Sequence, residues 1–366
     1  MSNKNLTFLF AILVIILGCK SEETVLEEEN TNCDKSDFIE YYINTIVSER
    51  LTQYEATIRA LDESLGIFTN NLDVASLEAA RNSYKEALIA YNASKWYRFE
   101  PPLSTFNAIN FSPYHSRWPI SSEKIETKIE TGDFSIEDYQ FSLRGIYAIE
   151  YFLFGVDDEQ LLIESFDASR IEYLKLISSQ LKDRAQTVKK EWIEWYANNE
   201  IGSSASEIKL ILDVLYNALL NDCNEILRQK LQIPMGLFSF EAEIRPEKVE
   251  SLCAKMSIFF LKAHFDKLAI MYFGGDKNSN AIGWDDLLKC SENGEKINSM
   301  IIAKIEIIED LFDNLPADKS MQDLLSEDFA SLEILNEQVN ELNILIKLNL
   351  SSQLGLIILY GEVEDD

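Results

Sequence analysis

The stretch VASLEAARNSYKEALIAY, residues 74–91, places its apolar side chains at Val74, Leu77, Ala80, Tyr84, Leu88 and Tyr91, in steps of three and four. A period near 3.6 lays these on one face of an α-helix and leaves the polar side chains opposite. The spacing returns at Ile208, Ile211, Leu215, Leu219 and Ile226, and again at Leu332, Leu335, Val339, Leu342, Ile346 and Leu350. Shorter or less regular helices are predicted over 36–68, 136–154, 168–198, 247–273 and 296–312, and no segment alternates as a strand would. Thirteen Gly and seven Pro in 366 residues are too few for a sandwich or barrel, whose short strands need turn residues about every 8–12 positions. The pattern predicts an all-α chain.

The charge narrows the function. Thirty-three Lys and Arg stand against 62 Asp and Glu, a net −29, and a surface of that sign repels phosphate backbones unless a basic stripe is concentrated somewhere. None is visible, so nucleic acid is not an expected partner. Only two histidines exist, His115 and His264, so an HExxH zinc site is excluded. Neither acidic group, Asp157-Asp158-Glu159 nor Glu362 to Asp366, follows the calcium-loop pattern of an EF-hand.

The N-terminus reads as an export signal over residues 1–18. Lys4 precedes an unbroken apolar run, Phe8 to Leu17, about half the length of roughly 20 residues a spanning helix needs. Leu17-Gly18-Cys19 then resembles a bacterial lipobox, which implies a diacylglycerol thioether and acyl chains such as palmitate on Cys19. Residues 19–32, with Glu22-Glu23 and Glu27-Glu28-Glu29, are too polar to order themselves and read as a tether. An acidic run at this place resembles a surface-export signal, and it equally suits simple spacing from the lipid. The expected location is therefore a bacterial envelope, on the periplasmic face of the outer membrane or at the cell surface. Cys33, Cys223, Cys253 and Cys290 show no C-x-x-C and are expected to be mostly buried free thiols.

Forty-six per cent apolar residues can fill about two domains of roughly 150 residues. The polar break Asn198 to Ser204, with Ser206 as a candidate helix cap, divides the mature chain into lobes at 33–200 and 205–366. Each lobe carries one irregular stretch. In the first it is Phe99 to Thr131, with Pro101, Pro102, Pro113 and Pro119; in the second it is Gln232 to Glu247. The parallel leaves a divergent duplication open as their origin.

The segment Arg144-Gly145-Ile146-Tyr147-Ala148-Ile149-Glu150-Tyr151-Phe152-Leu153-Phe154-Gly155 puts Tyr147 and Glu150 at i, i+3 on one helical face. It resembles the signature of the imelysin family, Gly-x-His-x-x-Glu followed by a Tyr-Leu-Leu-like run and an aromatic-Gly. Trp96, Trp118-Pro119, Ile233-Pro234-Met235-Gly236-Leu237, Val249-Glu250-Ser251, Met271-Tyr272-Phe273-Gly274-Gly275 and Leu354-Gly355-Leu356 follow in the family's order. The resemblance implies paired helical bundles, export to the envelope, and a site between lobes associated with iron uptake or metal binding; some members are named as peptidases. It assigns Glu150 to the motif glutamate and Glu250 to the glutamate of the second lobe. Tyr147 stands where the family has histidine.

That departure matters chemically. A phenol binds a metal well only when a strongly acidic ion such as ferric iron removes its proton. The candidate site is then Glu150, Glu250 and Tyr147, with His115 and Trp118 from the Pro-rich stretch, and iron or another divalent metal as the implied cofactor. His264 is expected to bond a backbone carbonyl, and Arg144 and Arg117 are candidate countercharges for the buried carboxylates. The expected function is an envelope lipoprotein that binds a metal or small ligand between its lobes. The alternative is a non-catalytic interaction protein, docking an envelope partner, that has lost the metal site. A peptidase would have to work without the motif histidine.

Overall fold

The computed structural model describes residues 34–97, 116–137, 139–198, 204–238, 243–277, 279–316 and 318–359. Cys19, the tether and His115 lie outside them. Asp34 opens α1 (Lys35–Tyr42) by accepting the Ser36 amide at 2.7 Å. One wide π segment, Ile43–Val47, carries the chain on into α2 (Ser48–Asn71). Leu72 at φ +50 ends α2, and Asp73 caps α3 (Val74–Ser94) by accepting the Ser76 amide at 2.8 Å. A link this short turns α3 back along α2 as a helical hairpin. Then come α4 (Ser122–Thr131), α5 (Ile146–Phe154), α6 (Glu159–Glu164) and α7 (Ala168–Asn198). The α2, α3, α5 and α7 helices pack together as the first half.

The second half is built from α8 (Ala205–Asn224), α9 (Ser257–Phe273), α10 (Trp284–Lys289), α11 (Gly294–Asn314), α12 (Met321–Glu327) and α13 (Phe329–Ile344), with α14 (Ser351–Leu354) at its end. Two further π segments interrupt it, Glu225–Gln232 after α8 and Leu345–Leu350 between α13 and α14. Among the described residues there is no strand, only an isolated antiparallel bridge between Ser116 and Gly145. None of their helices is long and apolar enough to cross a membrane.

The apolar stripes become the core. Leu77, Ala80, Tyr84, Leu88 and Tyr91 are buried on α3, as are Leu332, Leu335, Val339, Leu342, Ile346 and Leu350 on α13 and its continuation. Val74, in the first turn of α3, is exposed. The four-residue steps from Leu342 to Ile346 and Leu350 suit the wider winding of the π segment they enter.

Several boundaries differ from those the periodicity predicts. The α5 helix begins at Ile146 rather than near 136, because Gly145 takes φ +82 and ψ −167, a conformation open in practice to glycine alone. The α9 helix begins at Ser257 rather than 247, since Ser251 and Lys255 both adopt φ +54 and fold residues 249–256 into a tight loop. Part of the Pro-rich stretch is helical, as α4, which ends at Gly132 with φ +67. Ser204, not Ser206, caps α8, accepting the Glu207 amide at 3.3 Å.

The described residues cluster as one unit. The α1 helix crosses from the first half to the second. Phe38 packs 4.9 Å from Trp284, and the Tyr42 hydroxyl donates to the Met271 carbonyl at 2.9 Å. The Arg50 guanidinium donates both to Ala93 O at 2.9 Å and to Lys267 O at 2.7 Å, so one side chain ties α3 to α9. Tyr84 meets Phe260 edge-on at 6.2 Å across the same seam. A polar chamber lies along this seam.

Candidate functional site

Glu150, in the middle of α5, is 3% exposed. Its Oε2 accepts the Tyr84 hydroxyl at 3.0 Å, and its Oε1 accepts the Ala254 amide at 2.9 Å. The Cys253 amide also points at this carboxylate. The loop 249–256 thus gathers its amides around Glu150, and those bonds offset the cost of the left-handed Ser251 and Lys255 that flank them. Burial pushes the Glu150 carboxyl up to about 7 against these donors, with the charge of Glu250 adding to the rise.

That loop presents Glu250, 2% exposed, to the first half. Its Oε1 accepts the Tyr147 hydroxyl at 2.6 Å and the Asn92 amide at 3.2 Å, and its Oε2 pairs with the Lys230 ammonium at 2.7 Å. Burial alone would raise this carboxyl, but Lys230 and Lys95, with the Tyr147 donor, hold it down at about 2. Tyr147 goes the other way. Burial, then the Glu250 charge, keeps its phenol well above the usual value, so it is a firm proton donor.

The contacts continue around a closed ring. Lys230 also lies 3.9 Å from Glu225 Oε1. The same Glu225 oxygen takes the Lys95 ammonium in a very short contact, and its Oε2 accepts the Trp96 indole at 2.8 Å. Lys95 donates to Asn92 Oδ1 at 2.7 Å, and Asn92 leads back to Glu250. The Trp118 ring closes one side, 5.1 Å from Tyr147, with Lys95 at 5.7 Å and Lys230 at 5.9 Å from its centre. Its indole donates to Lys248 O at 3.2 Å.

Local winding explains how Glu225 and Lys230 come to face inward together. Five residues apart on an α-helix, two side chains diverge by about 140°. A π winding bonds i to i+5 and, with more residues in each turn, narrows that divergence so that both turn inward; the Ile233 amide bonds Arg228 O at 2.9 Å in this way near the end of the segment.

A second buried pair adjoins the ring. His264 Nε2 lies 2.6 Å from Asp222 Oδ1, both side chains about 1% exposed. The histidine bonds a carboxylate, where a backbone carbonyl was expected. Burial, then the nearby lysines, hold the imidazole well below its usual value, and burial lifts the Asp222 carboxyl to about 7.

The structure places Glu150, Glu250, Tyr147 and Trp118 close together; His115 falls outside the described residues. Tyr147 bonds Glu250 rather than its helix neighbour Glu150. Arg144 lies over the Phe141 ring at 5.6 Å, and the countercharge that touches Glu250 comes from Lys230. Sequence reading missed Asn92, Lys95, Asp222, Glu225 and Lys230. A signal existed: Lys95 continues the α3 stripe four residues beyond Tyr91, and Asp222 continues the α8 stripe three beyond Leu219.

The implied metal does not fit this donor set. Among the described residues no three His, Cys, Asp or Glu side chains are grouped to hold an ion. All four oxygens of Glu225 and Glu250 already have partners from the chain, two of them ammonium groups. The Tyr147 hydroxyl is already committed as the donor to Glu250 Oε1 at 2.6 Å.

Comparison with known proteins agrees with the architecture. No curated protein matches the chain. Among solved structures, an iron-regulated protein A precursor from Parabacteroides distasonis superposes with a TM-score of 0.72 at 17% identity, covering 87% of this chain and 95% of that one. An imelysin-like protein from Psychrobacter arcticum gives 0.67 at 17%, covering 89% and 97%. The imelysin family model matches residues 47–347, across both halves and every ring residue, and this chain belongs to the imelysin family.

Proposed function

We propose that this protein is a lipid-anchored, non-catalytic binding protein of the bacterial envelope, an imelysin-family member that acts by docking a partner rather than by hydrolysing peptides. One observation carries the reading: the carboxylates at the family site are matched by the protein's own donors and cations. Peptide hydrolysis needs a free base beside an activated water or a nucleophile. Glu250 is ion-paired and Glu150 is bound to two elements of the fold. The lipobox-like Leu17-Gly18-Cys19 supports the anchor, and a disulfide at Cys290 suits an oxidising compartment. The iron-regulated neighbour supports a setting connected with iron supply.

The test has two arms. Expressed with its leader in a Gram-negative host, the protein should fractionate with membranes and carry acyl chains on Cys19, and Cys19→Ala should release it. Purified protein should leave denatured casein uncut at the level of its Glu150→Gln variant. Casein cleavage lost on that substitution would establish the peptidase instead.

A further inference from the structure

We infer that Lys230 is the resident cation of the inter-half site: its ammonium fills the place between Glu225 and Glu250 where a metal ion would sit, and so closes the site to metals. The inference rests on the non-catalytic reading above and goes beyond it by naming the group that took over the site.

Three observations support it. Position comes first: the Lys230 Nζ stands 2.7 Å from Glu250 Oε2 and 3.9 Å from Glu225 Oε1, bridging carboxylates from two separate elements. Charge is second. Two ammoniums, Lys95 and Lys230, face two carboxylates, Glu225 and Glu250, with neutral Asn92 and Tyr147 completing the circuit. The sum is zero, so a divalent or trivalent ion entering here would add uncompensated charge to a site whose members are at most 5% exposed. Third is the winding. The π segment Glu225–Gln232 turns Lys230 toward the side that carries Glu225, so the cation is supplied by the same element that supplies one of its carboxylates. A solvated surface lysine would have no need of that distortion.

The experiment is equilibrium dialysis of the purified protein against zinc chloride and, separately, ferric citrate, with bound metal read by elemental analysis. An acidic surface binds metal loosely, so each value is compared with Glu250→Gln in the same background. Wild type and Glu250→Gln should bind alike. Lys230→Ala should gain at least about tenfold in affinity, and Lys230→Ala/Glu250→Gln should lose that gain. A wild-type protein holding one equivalent that disappears in Glu250→Gln overturns the inference, as does a folded Lys230→Ala with no gain. If Lys230→Ala does not fold, the wild-type comparison decides alone. Metal held through Glu250 without casein cleavage overturns this inference and leaves the non-catalytic reading intact. Cleavage by metal-free protein does the reverse.

Discussion

Tyr147 and Glu250, 103 positions apart in the chain, meet at 2.6 Å, with the phenol as donor and the carboxylate as acceptor. The bond joins the motif helix of one half to the loop of the other. Tyr147→Phe keeps the ring packing and removes only this donor, leaving one contact fewer on a buried charge. The expected cost is about 1–3 kcal/mol, read from urea unfolding. An unchanged midpoint would show that Asn92 and Lys230 suffice for Glu250 by themselves.

Breaking the ion pair from one side should cost more than removing it altogether. Lys230→Met strands the Glu250 carboxylate in a buried setting, and the expected loss is about 3–5 kcal/mol. Lys230→Met/Glu250→Gln should recover a measurable part of that loss. A double-mutant cycle by denaturant unfolding reports the coupling, and strict additivity would contradict the 2.7 Å contact.

Acidity should act on the two glutamates in opposite directions. Glu150 is raised from 4.5 to about 7, so the folded state holds its proton more tightly than the unfolded chain does. Its contribution to stability is complete below 4.5 and is lost as pH rises through about 7. Glu250 is lowered from 4.5 to about 2, so its contribution is present above 4.5 and is lost as pH falls toward 2. Asp222, raised from 3.8 to about 7, acts in the same sense as Glu150. Unfolding midpoints measured across this range should fall less steeply above 4.5 in Glu150→Gln than in wild type. In Glu250→Gln the shortfall from wild type should shrink as pH drops below 4.5.

Gly145→Ala tests the start of the motif helix. The φ of +82 with ψ −167 is strained for any residue with a Cβ, at a cost of about 1–3 kcal/mol. The Tyr147 amide, two residues on, bonds the Ser116 hydroxyl at 3.0 Å. Thermal unfolding followed by circular dichroism should therefore shift down, and tryptophan fluorescence should report a change at Trp118, which packs against Tyr147.

The helices were legible even where the apolar stripe was less regular: α7 spans the predicted 168–198, and α11 differs from 296–312 by two residues at each end. Boundaries failed where one backbone conformation overrode periodicity, at Gly145, Ser251 and Lys255. The family resemblance pointed to Glu150, Glu250, Tyr147 and Trp118, and these converge. The lysines stayed hidden because lysine ordinarily belongs to solvent, and neither Lys95 nor Lys230 was singled out although each continues a buried face. Geometry that joins residue 95 to residue 225 has no local trace in either segment.

The wide-wound stretch after α8 has an engineering consequence. Wound at ordinary helical pitch with every residue kept, Glu225–Gln232 would carry the ammonium of Lys230 to about 140° around the axis from Glu225, away from its acidic partners. The pitch of this one stretch thus decides which side chain guards the crevice, and a redesign that tightened it would have to neutralise the acids by other means.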